Sequence, residues 1–381
     1  MLYCRCLKYA GISPCPFRGS LSLLTKPRAQ KELLALIALS LSEGLSHFGL
    51  IYPDSSGYLA NAGFFQGIEE PNQFRLLRPV IPLLASYVGR LTDLQTAFAI
   101  INLFFWCAAC VLMFWFADKF TRRSDISILA AGFFAVAYPM LVYGDAVLTD
   151  MAGFFFVLLG LHLILNWDIL RSTYVKVLAS AGLMAIGILC RETVACVFVV
   201  ALLWALISKA SPTKLILFVA IPFAALFAWA GVERLSLLGF ALAQVSYSAK
   251  FQPISWPDRI LTWFYTIRVS FRPDMLLLAA VGLVESVRDR SFMKYLAILA
   301  GISTFLLAVP GPVDYRFTFL LFPAVLPLGA IGTLQVSSFV SHRLPISAGH
   351  LRRTTILFTL IVFLAYSIET NWLALRFVSF P

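Results

Sequence analysis

Long apolar runs, separated by short polar segments, dominate the chain from residue 32 onward. They cover roughly 32–51, 96–117, 126–144, 149–166, 174–190, 194–208, 212–231, 274–287, 294–309, 317–336 and 354–373. A helix needs about 20 apolar residues to cross a hydrocarbon core that is about 30 Å thick. Only helices and closed barrels satisfy their backbone hydrogen bonds in lipid. The pattern therefore predicts an all-α polytopic integral membrane protein with about 11 transmembrane helices.

The composition excludes a soluble domain and sets the orientation. Hydrophobic residues make up 60% of the 381 residues and charged residues 13%, with a mean hydropathy of +0.86, whereas ordinary globular chains carry about 25% charge. With the N-terminus inside, 19 of the 30 Lys and Arg residues fall in or beside inner segments, and most of the 19 acidic residues fall outside. This is the positive-inside pattern, so the net charge of +11 does not indicate a nucleic-acid partner. We expect an N-in, C-out topology.

The chain divides into a basic arm and a membrane domain. Residues 1–31 are basic and lack a long apolar core, which is typical of a cytoplasmic arm. Residues 32–381 form the transmembrane domain, with two longer outer loops at 52–95 and 232–273. The first loop contains an apolar segment, Val80 to Val88, that is too short to cross, and the second mixes aromatic and basic residues from Trp256 to Arg272. Both loops are expected to contain interfacial helices.

Charged residues in the first outer loop are candidates for chemistry. Asp54 follows the first apolar run and could act as a general base or a cation ligand, or could cap a helix. Arg75 and Arg78 lie outside, against the charge bias, and a guanidinium fits phosphate oxygens. They could clamp a lipid phosphate or diphosphate. Alternatively, they contact lipid headgroups or pair with Glu69 and Glu70.

Two further sites bring charge to the ends of predicted spans. Asp150 begins an apolar run and could be drawn into the helix bundle, or could cap the helix together with Thr149. Arg191 and Glu192 stand between two apolar runs with almost no loop around them. We interpret them as an ion pair that is either structural or part of a pocket.

The last candidate segment precedes a proline-interrupted span. Tyr315 and Arg316 lie at its outer end, again against the charge bias, with Pro323 and Pro327 following. The arrangement favours a phosphate site over an arginine that snorkels to the interface. The histidines have no metal-ligand spacing, so no zinc motif is predicted; they are His47, His162, His342 and His350.

Taken together, these motifs resemble the GT-C superfamily of membrane glycosyltransferases, which use polyprenyl-phosphate-linked sugars. Asp54 matches the acidic residue that follows the first span in that superfamily, and the stretch from Arg75 to Pro82 resembles the arginine- and proline-rich segment after it. Tyr315 and Arg316 resemble the late Tyr-Arg before a proline-containing span. The first-loop motif lacks the paired acidic residues of many members. A divalent cation is therefore in doubt as a cofactor, and no metal ligand is assigned.

The resemblance implies a mechanism and partners. Asp54 would deprotonate or orient the acceptor, and Arg78 and Arg316 would stabilise the departing lipid phosphate, with inversion at the anomeric carbon. Asp150, Arg191 and Glu192 would shape the sugar pocket, while loop 232–273 would cover the site and admit the lipid. The donor would be a polyprenyl-phosphate-linked sugar, and the acceptor a glycan, lipid or protein.

Two other functions remain open from the sequence. A secondary transporter would also have many spans, but transporters usually place ionisable residues near the middle of the bilayer, whereas here they gather on one side. A polysaccharide polymerase or ligase acting on lipid-diphosphate glycans needs similar features. We expect a bacterial inner membrane, with membrane lipids around the chain and the active site facing outside.

Overall fold

The computed structural model describes residues 51–52, 54–144, 146–236, 256–287, 291–308 and 315–343, with Gly239 and isolated positions within 34–41 and 354–365. Within these ranges every regular element is a helix. The predicted arm 1–31, most of the first and last predicted spans, and residues 240–255 lie outside the described residues.

The first half of the described chain contains six α-helices, of which α3 is the longest. They are α1 (Ser55–Gln66), α2 (Val80–Val88), α3 (Leu94–Thr121), α4 (Ser124–Ala135), α5 (Tyr138–Tyr143) and α6 (Asp150–Leu161), which continues into a π-helical turn at His162–Asn166. The helix α2 has the bounds of the apolar segment that the sequence marked as too short to cross. It is therefore confirmed as a helix.

The second half continues the helical pattern. It contains α7 (Tyr174–Cys190), a 3₁₀ turn (Glu192–Ala195), α8 (Cys196–Ser208), α9 (Pro212–Val232), α10 (Trp256–Phe271), α11 (Pro273–Ser286), α12 (Phe292–Ala308), a second 3₁₀ segment (Tyr315–Leu321) and α13 (Phe322–Arg343). The helix α10 lies within the segment 232–273, where the sequence predicts an interfacial helix; its position at the membrane surface stays a prediction.

One predicted span is not a single continuous helix. The apolar run at 126–144 is two helices, α4 and α5, separated at Val136 and Ala137, where Ala137 is extended. Pro139 explains the break, because a proline inside a continuous helix has no N–H for the carbonyl four residues earlier, here Ala135, and its ring clashes with that carbonyl. Hydrophobicity alone does not reveal such a break.

Three described helices are long and apolar enough to cross a membrane: Leu94–Thr121, Pro212–Val232 and Phe317–Val340. Five other apolar helices have 10 to 17 residues. The helix α9 exposes large apolar side chains such as Ile216 and Phe227, as expected for a surface that meets lipid rather than water. The count of about 11 spans and the N-in, C-out topology stay predictions.

Close helix packing and an aromatic cluster form the core next to the charged residues. A Cβ added to Gly282 on α11 would collide with the carbonyl of Leu328 on α13, and one added to Gly332 would collide with that of Leu278. The two backbones are therefore in direct contact, as small residues allow in membrane helix pairs. Beside them, stacked and edge-to-face rings join α4, α6, α10, α13 and the second 3₁₀ segment: Phe134, Phe154, Phe271, Phe319 and Phe322.

One end of the bundle brings together segments that are distant in sequence. There α1 and the connection between α1 and α2 contact the start of α6 and the junction between α7 and α8. The indole of Trp229, near the end of α9, donates a 2.9 Å hydrogen bond to the carbonyl of Leu76 and holds the connection in place. The candidate site lies at this end.

Candidate active site

Asp54 and Arg75 form a partly exposed ion pair at this end. Asp54 occupies the N-cap position of α1, but its side chain makes no cap hydrogen bond. Instead, Arg75 Nη2 donates to Asp54 Oδ1 over 2.6 Å, with 16% and 27% of the two side chains exposed. The helix-cap interpretation of Asp54 is therefore not what the structure shows. Its carboxylate is held by an arginine and remains open to approach.

Arg78 is a buried arginine that donates three hydrogen bonds to two residues. Its Nε donates to Glu192 Oε2 over 2.6 Å, its Nη2 donates to Glu192 Oε1, and its Nη1 donates to the hydroxyl of Tyr58. Only 3% of the Arg78 side chain is exposed, against 41% of Glu192. Burial lowers the pKa of Arg78, but Glu192 and Tyr58 raise it to a value above its ordinary one. The guanidinium is therefore a fixed positive charge, and Glu69 and Glu70 are not its partners.

Arg191 pairs with Asp150 rather than with its neighbour Glu192. Arg191 Nη1 donates to Asp150 Oδ2 over 2.9 Å and to Thr149 Oγ1 over 3.2 Å, and both members of the ion pair are buried. The predicted Arg191–Glu192 ion pair is wrong because Arg191 is in an extended conformation, so that consecutive side chains diverge. Thr149 and Asp150 likewise make no cap hydrogen bond at the start of α6.

Gly153 gives the Arg191 side chain room to reach Asp150. A Cβ at this position would lie 2.6 Å from Arg191 Cβ and 3.0 Å from Arg191 Cγ. The stem of the arginine therefore passes directly over the helix backbone at the first turn of α6. The Nε of Arg191 is buried and has no hydrogen-bond partner within the ranges that the structure describes.

Tyr58 joins the separate ion pairs, although the sequence pattern did not mark it as a site residue. It is fully buried on α1. Its hydroxyl receives the bond from Arg78 and lies 3.4 Å from Arg191 Nη1 and 3.3 Å from Thr149 Oγ1. The Arg75 guanidinium lies 5.4 Å from the centre of its ring, within cation–π range. A tyrosine one turn after an acidic loop residue was the only available signal.

A small cavity lies against Asp150. It has a volume of about 10 Å³, room for little more than one water molecule. Its lining combines the carboxylate of Asp150 and the hydroxyl of Thr193 with aromatic and aliphatic side chains, namely Phe154, Phe317, Phe319 and Leu320. The 3₁₀ segment that follows Tyr315 therefore forms one wall beside the ion pairs.

Of the predicted site residues, Asp54, Arg75, Arg78, Asp150, Arg191 and Glu192 gather here. Tyr315 and Arg316 begin the 3₁₀ segment, but their side chains lie outside the described part of the structure. Among the residues that are described, no three His, Cys, Asp or Glu side chains cluster as metal ligands. Because Arg75, Arg78 and Arg191 occupy the site's carboxylates, these residues do not fit a divalent cation, and no step is assigned to one.

Comparison with known proteins identifies the fold. No protein-family model and no curated protein matches the sequence. Among solved structures, the apo form of the oligosaccharyltransferase of Archaeoglobus fulgidus matches with a TM-score of 0.57 and 11% identity over 91% of this chain. Its complex with Zn and sulfate matches with a TM-score of 0.56 and 13% identity over 88%.

A third structure from the same organism is similar: the oligosaccharyltransferase AglB with an inhibitory peptide and a dolichol-phosphate, at a TM-score of 0.54 and 11% identity over 91% of this chain. The chain spans about half the length of these proteins, 53% to 56%. At this level of identity the likeness concerns the fold. The resemblance predicted from the sequence motifs is confirmed in that sense: the chain has the GT-C fold of the archaeal oligosaccharyltransferases.

Proposed function

We propose that this chain is a membrane glycosyltransferase that moves a sugar from a polyprenyl-phosphate donor to an acceptor at the outer face of the membrane. The observation that carries the proposal is a convergence of charge in a GT-C fold. Three arginines and three carboxylates from three distant segments meet around Tyr58 at one end of the helical bundle. Such costly, desolvated charge in a mostly apolar protein is typical of a functional site.

The donor class is supported by what a protein of the same fold holds. The complex of the archaeal AglB contains a dolichol-phosphate, an isoprenoid lipid that ends in a phosphate. Arginine side chains offer a forked set of donors that matches phosphate oxygens. In this chain Arg75 is the most exposed of the three clustered arginines and is the first that a lipid phosphate would reach.

The chemistry follows from the Asp54–Arg75 pair. A phosphate that binds Arg75 would take over the guanidinium and release the Asp54 carboxylate. Asp54 would then accept the proton of the acceptor hydroxyl or amine while that atom attacks the anomeric carbon. The bond from this carbon to the phosphate oxygen breaks, and polyprenyl phosphate leaves with the electron pair. A direct displacement of this kind inverts the anomeric configuration.

The two buried arginines, which lie deeper in the protein than Arg75, would stabilise the leaving phosphate electrostatically. Arg78 and Arg191 are held by Glu192, Asp150 and Tyr58, so they need no rearrangement as negative charge develops on the leaving phosphate. Preorganised charge in a site of low dielectric is the strongest common source of catalysis. In this proposal the cavity beside Asp150 belongs to the sugar subsite, and it opens by movement of its 3₁₀ wall.

The cellular setting is proposed on the charge bias of the loops. The N-terminus would lie inside and the charged cluster outside, in a bacterial inner membrane, with a glycan, lipid or protein as acceptor. The helix α10 would lie over the site, and its exposed face, which includes Leu261 and Phe264, would contact the membrane.

The test replaces Asp54 by asparagine, which keeps the size of the side chain and an oxygen for Arg75. Purified protein is incubated with a panel of radiolabelled polyprenyl-phosphate sugars and a membrane extract as the source of acceptors. We expect the wild type to transfer label from one donor, and Asp54→Asn to lose at least about 100-fold in rate, as expected for removal of a general base.

Asp93→Asn is the matched control, because Asp93 is an exposed carboxylate in the same loop that caps α3 by accepting from the Thr96 amide over 2.9 Å. This variant should retain full activity. Normal turnover by a folded Asp54→Asn protein would remove Asp54 from the mechanism.

A further inference from the structure

Tyr58 lies where the three ion pairs meet, but it makes or breaks no bond in the proposed reaction. Its hydroxyl oxygen is approached by Arg78 from the first loop, Arg191 from the α7–α8 junction and Thr149 from the start of α6. Its ring lies beside Arg75. The side chain therefore touches all three arginines while it is itself fully buried.

Counting donors and acceptors defines what this hydroxyl can do. A neutral phenol accepts two hydrogen bonds and donates one. The described contacts of this oxygen are all donated to it, by Arg78, by Arg191 and, over 3.3 Å, by the hydroxyl of Thr149. Three donors from three segments therefore converge on the two acceptor positions of one oxygen. Each of these bonds constrains a group that also holds a carboxylate or a helix start.

We propose that Tyr58 is the positioning residue of the site, whose hydroxyl fixes Arg78 and Arg191 relative to each other so that both face a bound lipid phosphate. The proposal rests on the proposed function for its substrate. It adds that a single phenolic oxygen couples the Arg78–Glu192 and Arg191–Asp150 pairs, which no hydrogen bond between the described residues joins directly.

The same geometry makes phosphate binding sensitive to the charge of Tyr58. Three positive and three negative side chains surround it. They are Arg75, Arg78 and Arg191, and Asp54, Asp150 and Glu192. With neutral Tyr58 these charges cancel. An ionised Tyr58 would leave the cluster with one net negative charge and weaken the attraction for an anionic phosphate.

The three arginines around Tyr58 favour the loss of its proton. Burial raises the pKa of its hydroxyl, but the charges of Arg78, Arg191 and Arg75 outweigh that effect, and the pKa is lowered from its ordinary value. As pH rises, the phenol loses its proton sooner than a free tyrosine. Donor affinity should therefore fall at alkaline pH.

The experiment compares Tyr58→Phe with Tyr295→Phe. Phenylalanine keeps the buried ring and its contact with Arg75 but removes the hydroxyl. Tyr295 is also fully buried, and no described residue bonds its hydroxyl, so its variant controls for removing a hydroxyl from the core. We expect Tyr58→Phe to raise KM for the lipid donor about ten- to hundredfold, as expected for lost hydrogen bonds to charged groups, with a smaller effect on kcat.

The pH profile separates positioning from mere stability. The alkaline loss of kcat/KM should disappear in Tyr58→Phe and persist in Tyr295→Phe. If Tyr58→Phe keeps the wild-type KM and the wild-type alkaline limb, the proposal is overturned. It is equally overturned if that variant only melts at a lower temperature.

Equilibrium binding of radiolabelled farnesyl phosphate distinguishes this proposal from the proposed function. If the wild type binds the lipid without transferring sugar, the glycosyltransferase assignment fails, and a weaker binding by Tyr58→Phe still supports the positioning role. If Tyr58→Phe binds as tightly as the wild type, or the wild type does not bind, the positioning role is rejected.

Discussion

The ion pair of Arg78 and Glu192 predicts unequal costs for removing its two members. Arg78 is almost completely buried, while 41% of the Glu192 side chain is exposed. Glu192→Gln keeps the shape but leaves a buried guanidinium without its counter-charge, which costs about 3–5 kcal/mol. Arg78→Met leaves a carboxylate that water can reach, and methionine fills the space of the arginine stem. That change should cost about 1–3 kcal/mol, mainly from the lost hydrogen bonds.

The double variant tests the reasoning further. Once Arg78 is gone, Glu192→Gln removes no buried charge pair, so the double variant should be no less stable than Arg78→Met alone. The control is Arg123→Met, because Arg123 is 46% exposed and forms an exposed pair with Asp125; its cost should stay below about 1 kcal/mol.

Steric trapping in detergent micelles measures these free energies without complete denaturation. A cost below about 1 kcal/mol for Glu192→Gln contradicts the claim that Glu192 neutralises a buried charge. A larger cost for Arg78→Met than for Glu192→Gln contradicts the claim that the exposed carboxylate can be hydrated.

Two further predictions concern packing and topology. Gly153→Ala should destabilise the protein by about 1–3 kcal/mol, because the added methyl group overpacks against Arg191. Gly182→Ala is the control and should be neutral or stabilising, since a Cβ there would have nothing within 4 Å. Thermal unfolding measures both variants, and equal melting temperatures would contradict the close approach of Gly153 to Arg191. In a cysteine-free background, a cysteine that replaces the exposed Arg90 should react with an impermeant maleimide added outside cells, and one that replaces the exposed Arg123 should not. The reverse labelling would show that the orientation is opposite to the predicted one.

Sequence patterns located most of the candidate site because isolated charges stand out against an apolar background. Asp54, Arg78, Asp150 and Glu192 were each recognisable from the cost of placing charge near lipid. Their pairing was not recognisable. Arg191 and Glu192 are adjacent in sequence, but the extended backbone at Arg191 sends them to different partners, Asp150 and Arg78.

Tyr58 could not be found from local sequence because tyrosine is common wherever apolar helices meet an interface. Its role depends on three segments that meet only in the folded bundle. The break between α4 and α5 is similar in kind: hydrophobicity runs through it, and only Pro139 marks the place where the helix ends. The number of spans depends on residues beyond the described ranges and stays a prediction from the apolar runs.

The central claim is tested most directly by following the label of a polyprenyl-phosphate sugar in reconstituted vesicles. The account predicts that the purified protein consumes the labelled lipid and that the sugar appears covalently on an acceptor with inverted anomeric configuration. Labelled lipid that stays unchanged, with no label on an acceptor, would contradict the account, and uptake of a separately supplied free sugar by the same vesicles would support a transporter.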